Sequence, residues 1–489
     1  MEKNNTTILW FLIGSVFIFF SNGKWAIPVS IWIVLICFLR FSRLNRPWVG
    51  FLSIFSISIV SNVFIWKGII PLPTPLYYIV STIGAIFFSV PFLIERLVNG
   101  EKRSYSQTLV YPALFTFFSY LLSLISPSGT FSSIGFSQSN LILIQIVSLT
   151  GIWGIIFILG WTASTINYLL DNYISKQKIY FSLVLYLPII GLVLVYGIFR
   201  IYNSNSKETI KIAGIINDHN FNKPVKDNLD EFIKSSNDND QLLFTETKSC
   251  VQNGAKIIFW QEGALMVLDS LEHDLIQKAK IFSQENNIYL GMSVFSLSIY
   301  FPSKPAENKI IWITPQGKIG FEYLKSFPTP TEIVLKGDKQ PKVISTQFFN
   351  LSSVICFDMN FPGFIREFGK KNVDILCVPA HDWREITPYH ANISLFRGIE
   401  NGFSIFRTTG NGLSVAFKSD GSLISKLNSF DSQEKILYAE VPIHRQFALY
   451  TIAGDFLPWV SISFVLIYIL ISKKLWLKKL FLNYCFIVL

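Results

Sequence analysis

Charge is scarce in this chain. Asp, Glu, Lys and Arg make up 15% of its 489 residues, against 51% hydrophobic and 16% aromatic, and the mean hydropathy is +0.42. That shortage excludes an ordinary soluble enzyme, while the charges that remain exclude a purely embedded membrane protein. A mixed architecture of two units is expected. Cysteine is scarce too. Cys37, Cys250, Cys356, Cys377 and Cys485 form no Cys-x-x-Cys pair, and five scattered His offer no ligand spacing, so a structural zinc site is not expected. In a domain outside the cytoplasm, an odd, unpaired set argues against a disulfide framework and leaves room for one reactive thiol. The net charge of +10 would suit nucleic acid, but the basic residues sit mainly between and after apolar segments. Membrane topology accounts for them more simply.

Long apolar runs are what the chain has in excess. They cover 8–20, 25–39, 49–65, 76–93, 109–125, 141–166 and 179–198, with an eighth at 456–471. Most are long enough to cross a hydrocarbon core of ~30 Å, and the two short first runs read as a hairpin of tilted or partial spans. The N-terminal stretch lacks a small-residue cleavage site and reads as an uncleaved anchor. Alternate loops carry Lys3; Arg40, Arg43 and Arg46; Arg96, Lys102 and Arg103; Lys176 and Lys178; and Lys473, Lys474, Lys478 and Lys479. The opposite short loops carry only Lys24 and Lys67. The Lys/Arg bias makes the first set cytoplasmic, which places everything after Arg200 on the far side and returns the C-terminus to the cytoplasm. The expected order is a membrane domain of about seven helices over 1–200, a linker at 201–209, an α/β domain over 210–450, a closing span at 453–475 and a tail at 476–489. Seven spans exceed what an anchor needs, so the bundle is expected to present the polar domain to substrates that live in the bilayer.

Within the polar domain, short apolar strands alternate with helical segments. Strands are expected at 210–216, 256–260, 288–295, 310–314, 318–323, 375–379, 403–408 and 413–418, and helices at 225–251, 271–285 and 389–401. Pro315-Gln316-Gly317 and Ser419-Asp420-Gly421 read as hairpin turns. This pattern is an α/β sheet layered by helices. The stretch 351–367 runs apolar into Cys356, turns through Phe357-Asp358-Met359-Asn360 and meets Pro362-Gly363 before a short amphipathic run. Strand, elbow and helix in that order expose a nucleophile and leave the next N–H free to hold an oxyanion. Glu262, Lys325 and Cys356 each follow an apolar strand. Singly, Glu262 reads as a helix N-terminal acid, Lys325 as a solvated loop charge and Cys356 as a packed thiol. Together at strand ends they supply a base for the thiol proton, a nucleophile and a cation for the oxyanion.

Phe259-Trp260-Gln261-Glu262, Tyr323-Leu324-Lys325 and Val354-Ile355-Cys356-Phe357-Asp358 with Phe361-Pro362 resemble the three signature blocks of the nitrilase superfamily. Arg397–Gly402, Asp374–Trp383 and Thr409–Gly412 resemble its Arg-x-x-Glu helix end, the strand after its nucleophile helix and its Asn-Gly turn. Seven preceding spans and one closing span make the chain similar to the apolipoprotein N-acyltransferase family. That resemblance implies an α-β-β-α sandwich outside the cytoplasm of a bacterial inner membrane and a Glu262-Lys325-Cys356 triad. Cys356 would take an acyl chain from a phospholipid as a thioester and pass it to the N-terminal amine of a diacylated lipoprotein. Glu262 would be the base, Lys325 and the Phe357 N–H would hold the oxyanion, and Glu332 would support them. Asp358 stands where the family usually has glutamate. Trp383 and Phe361 are candidates for acyl-chain contact or for anchoring at the interface, and 296–308 and 327–347 are candidate lids. No cofactor, metal or nucleic acid is implied. The chain departs from the family in Phe327-Pro328-Thr329-Pro330-Thr331-Glu332 after the lysine and in Trp260-Gln261 before Glu262. A membrane-anchored amidase or hydrolase using water, and a scaffold with a silent nitrilase-like domain, stay open on the residues alone. Transport is disfavoured because the spans hold very few ionisable residues.

Overall fold

The computed structural model describes residues 2–70, 72–99, 104–204, 208–217 and 229–471. Lys102, Arg103, Lys473, Lys474, Lys478, Lys479, Cys485, the start of the expected helix at 225–251, the middle of the linker and the tail at 476–489 lie outside the described residues.

The chain begins with α1 (Glu2–Phe17) and α2 (Pro28–Leu44), packed through Phe11 against Phe38 and Phe41. Next come α3 (Pro47–Ile65), α4 (Thr74–Asn99), α5 (Val110–Ile125), the single turns α6 (Leu141–Ile144) and α7 (Val147–Thr150), then α8 (Trp153–Asp171) and α9 (Lys176–Tyr202). α3, α4, α5 with its preceding turn, α8 and α9 are each long and apolar enough to cross a membrane. α9 leaves Phe181, Leu187, Leu192, Val195 and Phe199 exposed along its length. A continuous face of that kind is stable against lipid and not against water. The protein is integral to a membrane.

The run at 141–166 is not one span. Its first ten residues form α6 and α7, and the crossing helix starts only at Trp153. Gly151, at φ +64°, makes the break, and a Cβ there would strike the Tyr450 ring. The displaced segment lies under the polar domain, where Gln145 donates to the Asp420 carbonyl at 2.7 Å and accepts from Arg200 at 3.0 Å. Hydropathy alone does not register either restraint.

The polar domain contains thirteen described strands in two sheets. They are β1 (Thr209–Ile215), β2 (Ile257–Trp260), β3 (Leu265–Leu268), β4 (Tyr289–Leu297), β5 (Glu307–Ile313), β6 (Ile319–Leu324), β7 (Val343–Ser345), β8 (Asn350–Ser353), β9 (Ile375–His381), β10 (Ser404–Gly410), β11 (Leu413–Phe417), β12 (Leu423–Asn428) and β13 (Ile436–Pro442). The first sheet runs β13-β1-β2-β4-β5-β6 with β3 beside β4, and the second runs β12-β11-β10-β9-β8-β7. Strands β1, β2, β3 and β4 pair in parallel, as do β8, β9 and β10. Their carboxyl ends therefore gather on one edge, where such sheets build sites.

The sheets pack face to face. Phe259 meets Phe406 edge-on at 5.5 Å, and the Trp312 indole crosses to donate to Ser353 at 2.9 Å. A Cβ on Gly214 would collide with Thr408, so glycine sets the closest approach of the two sheets. On the outer face of the first sheet lie α10 (Leu229–Gln252) and α11 (Glu272–Asn286), joined to it by Leu243, Phe244, Leu275 and Ala279. α12 (Pro362–Lys370) and α13 (Tyr389–Asn401) cover the second sheet through Ile365, Phe368, Ile393 and Phe396. The result is an α-β-β-α sandwich. Beyond it, α14 (Leu449–Ala453) leads into a helix at Phe456–Ile471, here α15, whose Val465 packs with Val110, Ala113 and Leu114 of α5.

Candidate active site

Three strand ends deliver the charged core of the site. Glu262 follows β2, Lys325 follows β6 directly, and Cys356 follows β8. Lys325 Nζ lies 2.7 Å from Glu262 Oε1 and 2.7 Å from Glu332 Oε1. Asn308 donates to the same Glu262 oxygen at 2.7 Å, and the His381 N–H donates to the other at 2.9 Å. The His381 carbonyl faces the Cys356 sulfur at 3.9 Å. One residue at the end of β9 thus borders both the carboxylate and the thiol.

The cysteine sits at φ +45°, in the left-handed region that L-residues avoid at a cost of about 1–2 kcal/mol. Surrounding bonds impose it. Asp358 accepts from the Ile355 N–H at 2.9 Å, Arg397 Nε donates to the Met359 carbonyl at 2.9 Å, and Thr130 donates its N–H and hydroxyl to the Asn360 carbonyl at 2.9 and 2.8 Å. Arg397 also donates to Thr130 Oγ1 at 2.6 Å and pairs with Glu400, which accepts the Ile152 N–H at 2.9 Å. The elbow is therefore fastened to the membrane-spanning half.

Burial sets the protonation pattern. It pushes the Cys356 thiol well up, and Glu262 adds to this while Lys325 opposes it, so the resting group is a thiol. Burial also pushes Glu262 up, but the charge and hydrogen bond of Lys325 outweigh it and hold the carboxyl below its ordinary range. Glu332 ends above that range through burial and the neighbouring Glu262 charge. One ammonium cannot fully neutralise two carboxylates, and Glu332, the more exposed of the pair, takes a proton first. Burial lowers the Lys325 ammonium, yet Glu262 and Glu332 raise it further, so it stays charged.

Both Asp358 oxygens are engaged by protein donors. Asp358 accepts from Tyr323 Oη at 2.6 Å and the Phe327 N–H at 2.7 Å, and burial raises it to about 6. The Phe357 ring lines a small apolar recess with Ile69, Ile70, Phe131, Pro330 and Trp383. Trp383 donates its indole N–H to the Gly68 carbonyl at 2.8 Å, and Phe361 stacks on Phe327 with centroids 3.8 Å apart. Sequence reasoning missed Asn308, Thr130 and a buried trio, Asp382, His390 and Arg407. Asp382 stood inside the strand block already singled out, and its Asp-Trp pairing after the strand was the available signal.

One ligand atom each from Cys356, Asp382 and His390 lies within 4.8 Å of the others, as a metal would require. Arg407 Nη2 already occupies the centre of two of these groups, at 2.7 and 2.9 Å from the Asp382 oxygens and 3.1 Å from His390 Nδ1. That guanidinium disfavours a cation.

A carboxylate–ammonium pair beside a left-handed cysteine thus stands at the strand ends of an α-β-β-α sandwich carried on a membrane bundle. The carbon-nitrogen hydrolase model matches residues 225–446, and the model of the apolipoprotein N-acyltransferase N-terminal domain matches residues 13–165. The chain belongs to the apolipoprotein N-acyltransferase family, within the nitrilase superfamily. An apolipoprotein N-acyltransferase of Geobacter metallireducens is 23% identical over 76% of this chain and 75% of its own length. That of Rickettsia prowazekii is 24% identical over 78% and 81%. Among solved structures, an amidase from Nesterenkonia sp. covers 49% of this chain and 93% of itself, with 16% identity and a TM-score of 0.40.

Proposed function

We propose that this protein moves a fatty acyl chain from a membrane phospholipid to the N-terminal amine of a diacylglyceryl-cysteine lipoprotein, through a thioester on Cys356. The observation that carries this reading is the Glu262–Lys325 pair at 2.7 Å beside a left-handed cysteine elbow that is tied to a membrane bundle. Family membership supports the choice of donor and acceptor.

In the first half-reaction Glu262 takes the thiol proton as sulfur attacks the ester carbonyl. The low carboxylate and the high thiol leave no standing thiolate, so proton transfer and attack coincide. The Lys325 ammonium and the Phe357 N–H hold the oxyanion, the ester C–O bond breaks, and Glu262 returns the proton to the leaving lysophospholipid oxygen. In the second, Glu262 takes a proton from the amine as nitrogen displaces sulfur, and the thiolate then recovers that proton. Glu332, sharing Lys325, keeps the ammonium in place. Both substrates carry acyl chains, which accounts for a bundle larger than a tether.

The same reading places the protein in a bacterial inner membrane, with the sandwich on the periplasmic side and the C-terminus in the cytoplasm, in keeping with the Lys/Arg loop bias. The test is intact-protein mass spectrometry after incubation with phosphatidylethanolamine and then with a diacylated lipopeptide. An acyl adduct that is absent in Cys356→Ala and cleared by the lipopeptide with N-acyl product is the expected result. An adduct that clears in water alone would make the protein a hydrolase.

A further inference from the structure

The mechanism above gives no task to a buried ionic cluster beside the cysteine. Arg407, on β10, is fully buried, as are Asp382 beyond β9 and His390 on α13. Arg407 Nη2 contacts both Asp382 oxygens and His390 Nδ1, as given above. The Asp382 backbone is itself held, donating to the Gly410 carbonyl at 2.9 Å and to Thr409 Oγ1 at 3.2 Å. Asp382 and His390 both come within 4.8 Å of the Cys356 sulfur.

A buried ion pair contributes little net stability compared with well-packed apolar residues of the same volume. Its retention beside the sulfur calls for another reason. The titratable and charged groups around Cys356 are Glu262 after β2, Lys325 after β6, Glu332 in the following loop, Asp358 in the elbow, and Asp382, His381, His390 and Arg407 from the end of β9, α13 and β10. Arg407 feels the charge of Cys356 and of Glu262, and Cys356 in turn feels Asp382 and Arg407. Burial drives His390 below its ordinary value despite Asp382, so it adds no third charge.

We propose that Arg407, aimed by Asp382 and His390, is a second cation of the site that shares with Lys325 the stabilisation of the Cys356 sulfur whenever it carries negative charge. Those moments are attack on the ester and departure from the thioester as the C–N bond forms and the C–S bond breaks. Arg407 acts through the field at sulfur, and Asp382 and His390 act by positioning it. Asp382 also moderates it: the aspartate lies close enough to offset part of the cation, adding to the burial and the Glu262 charge that keep the resting group a thiol.

This inference rests on Cys356 as the acylated nucleophile. The full-length protein in detergent, wild type and Asp382→Asn, is alkylated with iodoacetamide across pH, and the adduct on Cys356 is followed by intact mass. Removing an anion this near unmasks Arg407, so the alkylation midpoint of Asp382→Asn is expected to fall by about one pH unit or more. A purely structural pair would leave that midpoint unmoved in a folded variant, and such a result overturns the proposal. Should Asp382→Asn fail to fold, Arg407→Lys carries the test. It keeps the charge but withdraws it from the sulfur, and lipopeptide is expected to clear the thioester at least about tenfold more slowly. An unchanged clearance rate, or failure of both variants to fold, assigns the cluster to fold maintenance alone. Absence of any acyl adduct on the wild type would instead remove the reading of Cys356 on which the inference stands.

Discussion

Asp358 takes the backbone N–H of Phe327 at 2.7 Å, which fastens the cysteine elbow to the loop that follows Lys325. The same carboxyl holds Tyr323 and Ile355, so three donors from two segments converge on it. Asp358→Asn keeps the shape but turns one acceptor oxygen into a donor facing them. A hydrogen bond to a charged group contributes about 1.5–3 kcal/mol, so acyl-adduct formation should slow roughly 10- to 100-fold. Amide hydrogen exchange over 326–332 should quicken in parallel. Slower acylation with unchanged exchange there would mean Asp358 acts at the substrate and not through the loop.

Glu332 offers a prediction with a sign. Burial and the Glu262 charge hold it above its ordinary range, so as pH falls it takes a proton before Glu262 does. Glu332→Gln replaces one charge-assisted bond to Lys325 with a neutral one, so the plateau rate of adduct formation should fall. The upper step of the acid limb should vanish while the Glu262 step stays where it is, both read from pH profiles of intact mass. A displaced Glu262 step would refute this order of protonation.

Glu262, Lys325 and Cys356 were legible because each stands where an apolar strand stops, and a chemically ordered set at strand ends is hard to explain otherwise. The sandwich was legible from the alternation of strand and helix. Short strands escaped: β3 and β7 have four and three residues, too few for a period to show. Strand β13 was missed because its identity comes from pairing with β1, more than two hundred residues earlier in the chain. Asn308 reads as one more polar residue on a strand, and only the fold turns it toward Glu262. The run at 141–166 passed as a single span because apolar content does not reveal a left-handed glycine or a glutamine paired with a distant carbonyl.

Thr130 is the clearest instance of information carried by distance in the chain, since its partner Asn360 lies 230 positions away. Its hydroxyl both donates to that carbonyl and accepts from the buried Arg397. Thr130→Val is nearly isosteric and leaves an arginine donor unsatisfied, at about 1–3 kcal/mol. The thermal midpoint should fall, and Thr130→Ser should restore most of it. If valine slows acylation with no loss of stability, the membrane loop steers the elbow and does not merely brace it.

Stability against acid follows from two aspartates with opposite shifts. Burial pushes Asp382 up, but Arg407 and His390 outweigh it and hold the carboxyl well below the ordinary range near 3.9. Its contribution is complete above that value and is lost as pH falls toward the folded value. Asp358, raised to about 6 by burial, works the other way: the folded form binds its proton more tightly, so this group costs stability as pH rises from about 4 to 6. Thermal midpoints of wild type, Asp382→Asn and Asp358→Asn between pH 3 and 7 separate the two. Asp382→Asn should be less stable at pH 7 and should flatten the decline below about pH 4. Asp358→Asn should flatten the slope between about pH 4 and 6. Parallel curves for all three proteins would show that neither carboxyl is linked to folding in this way.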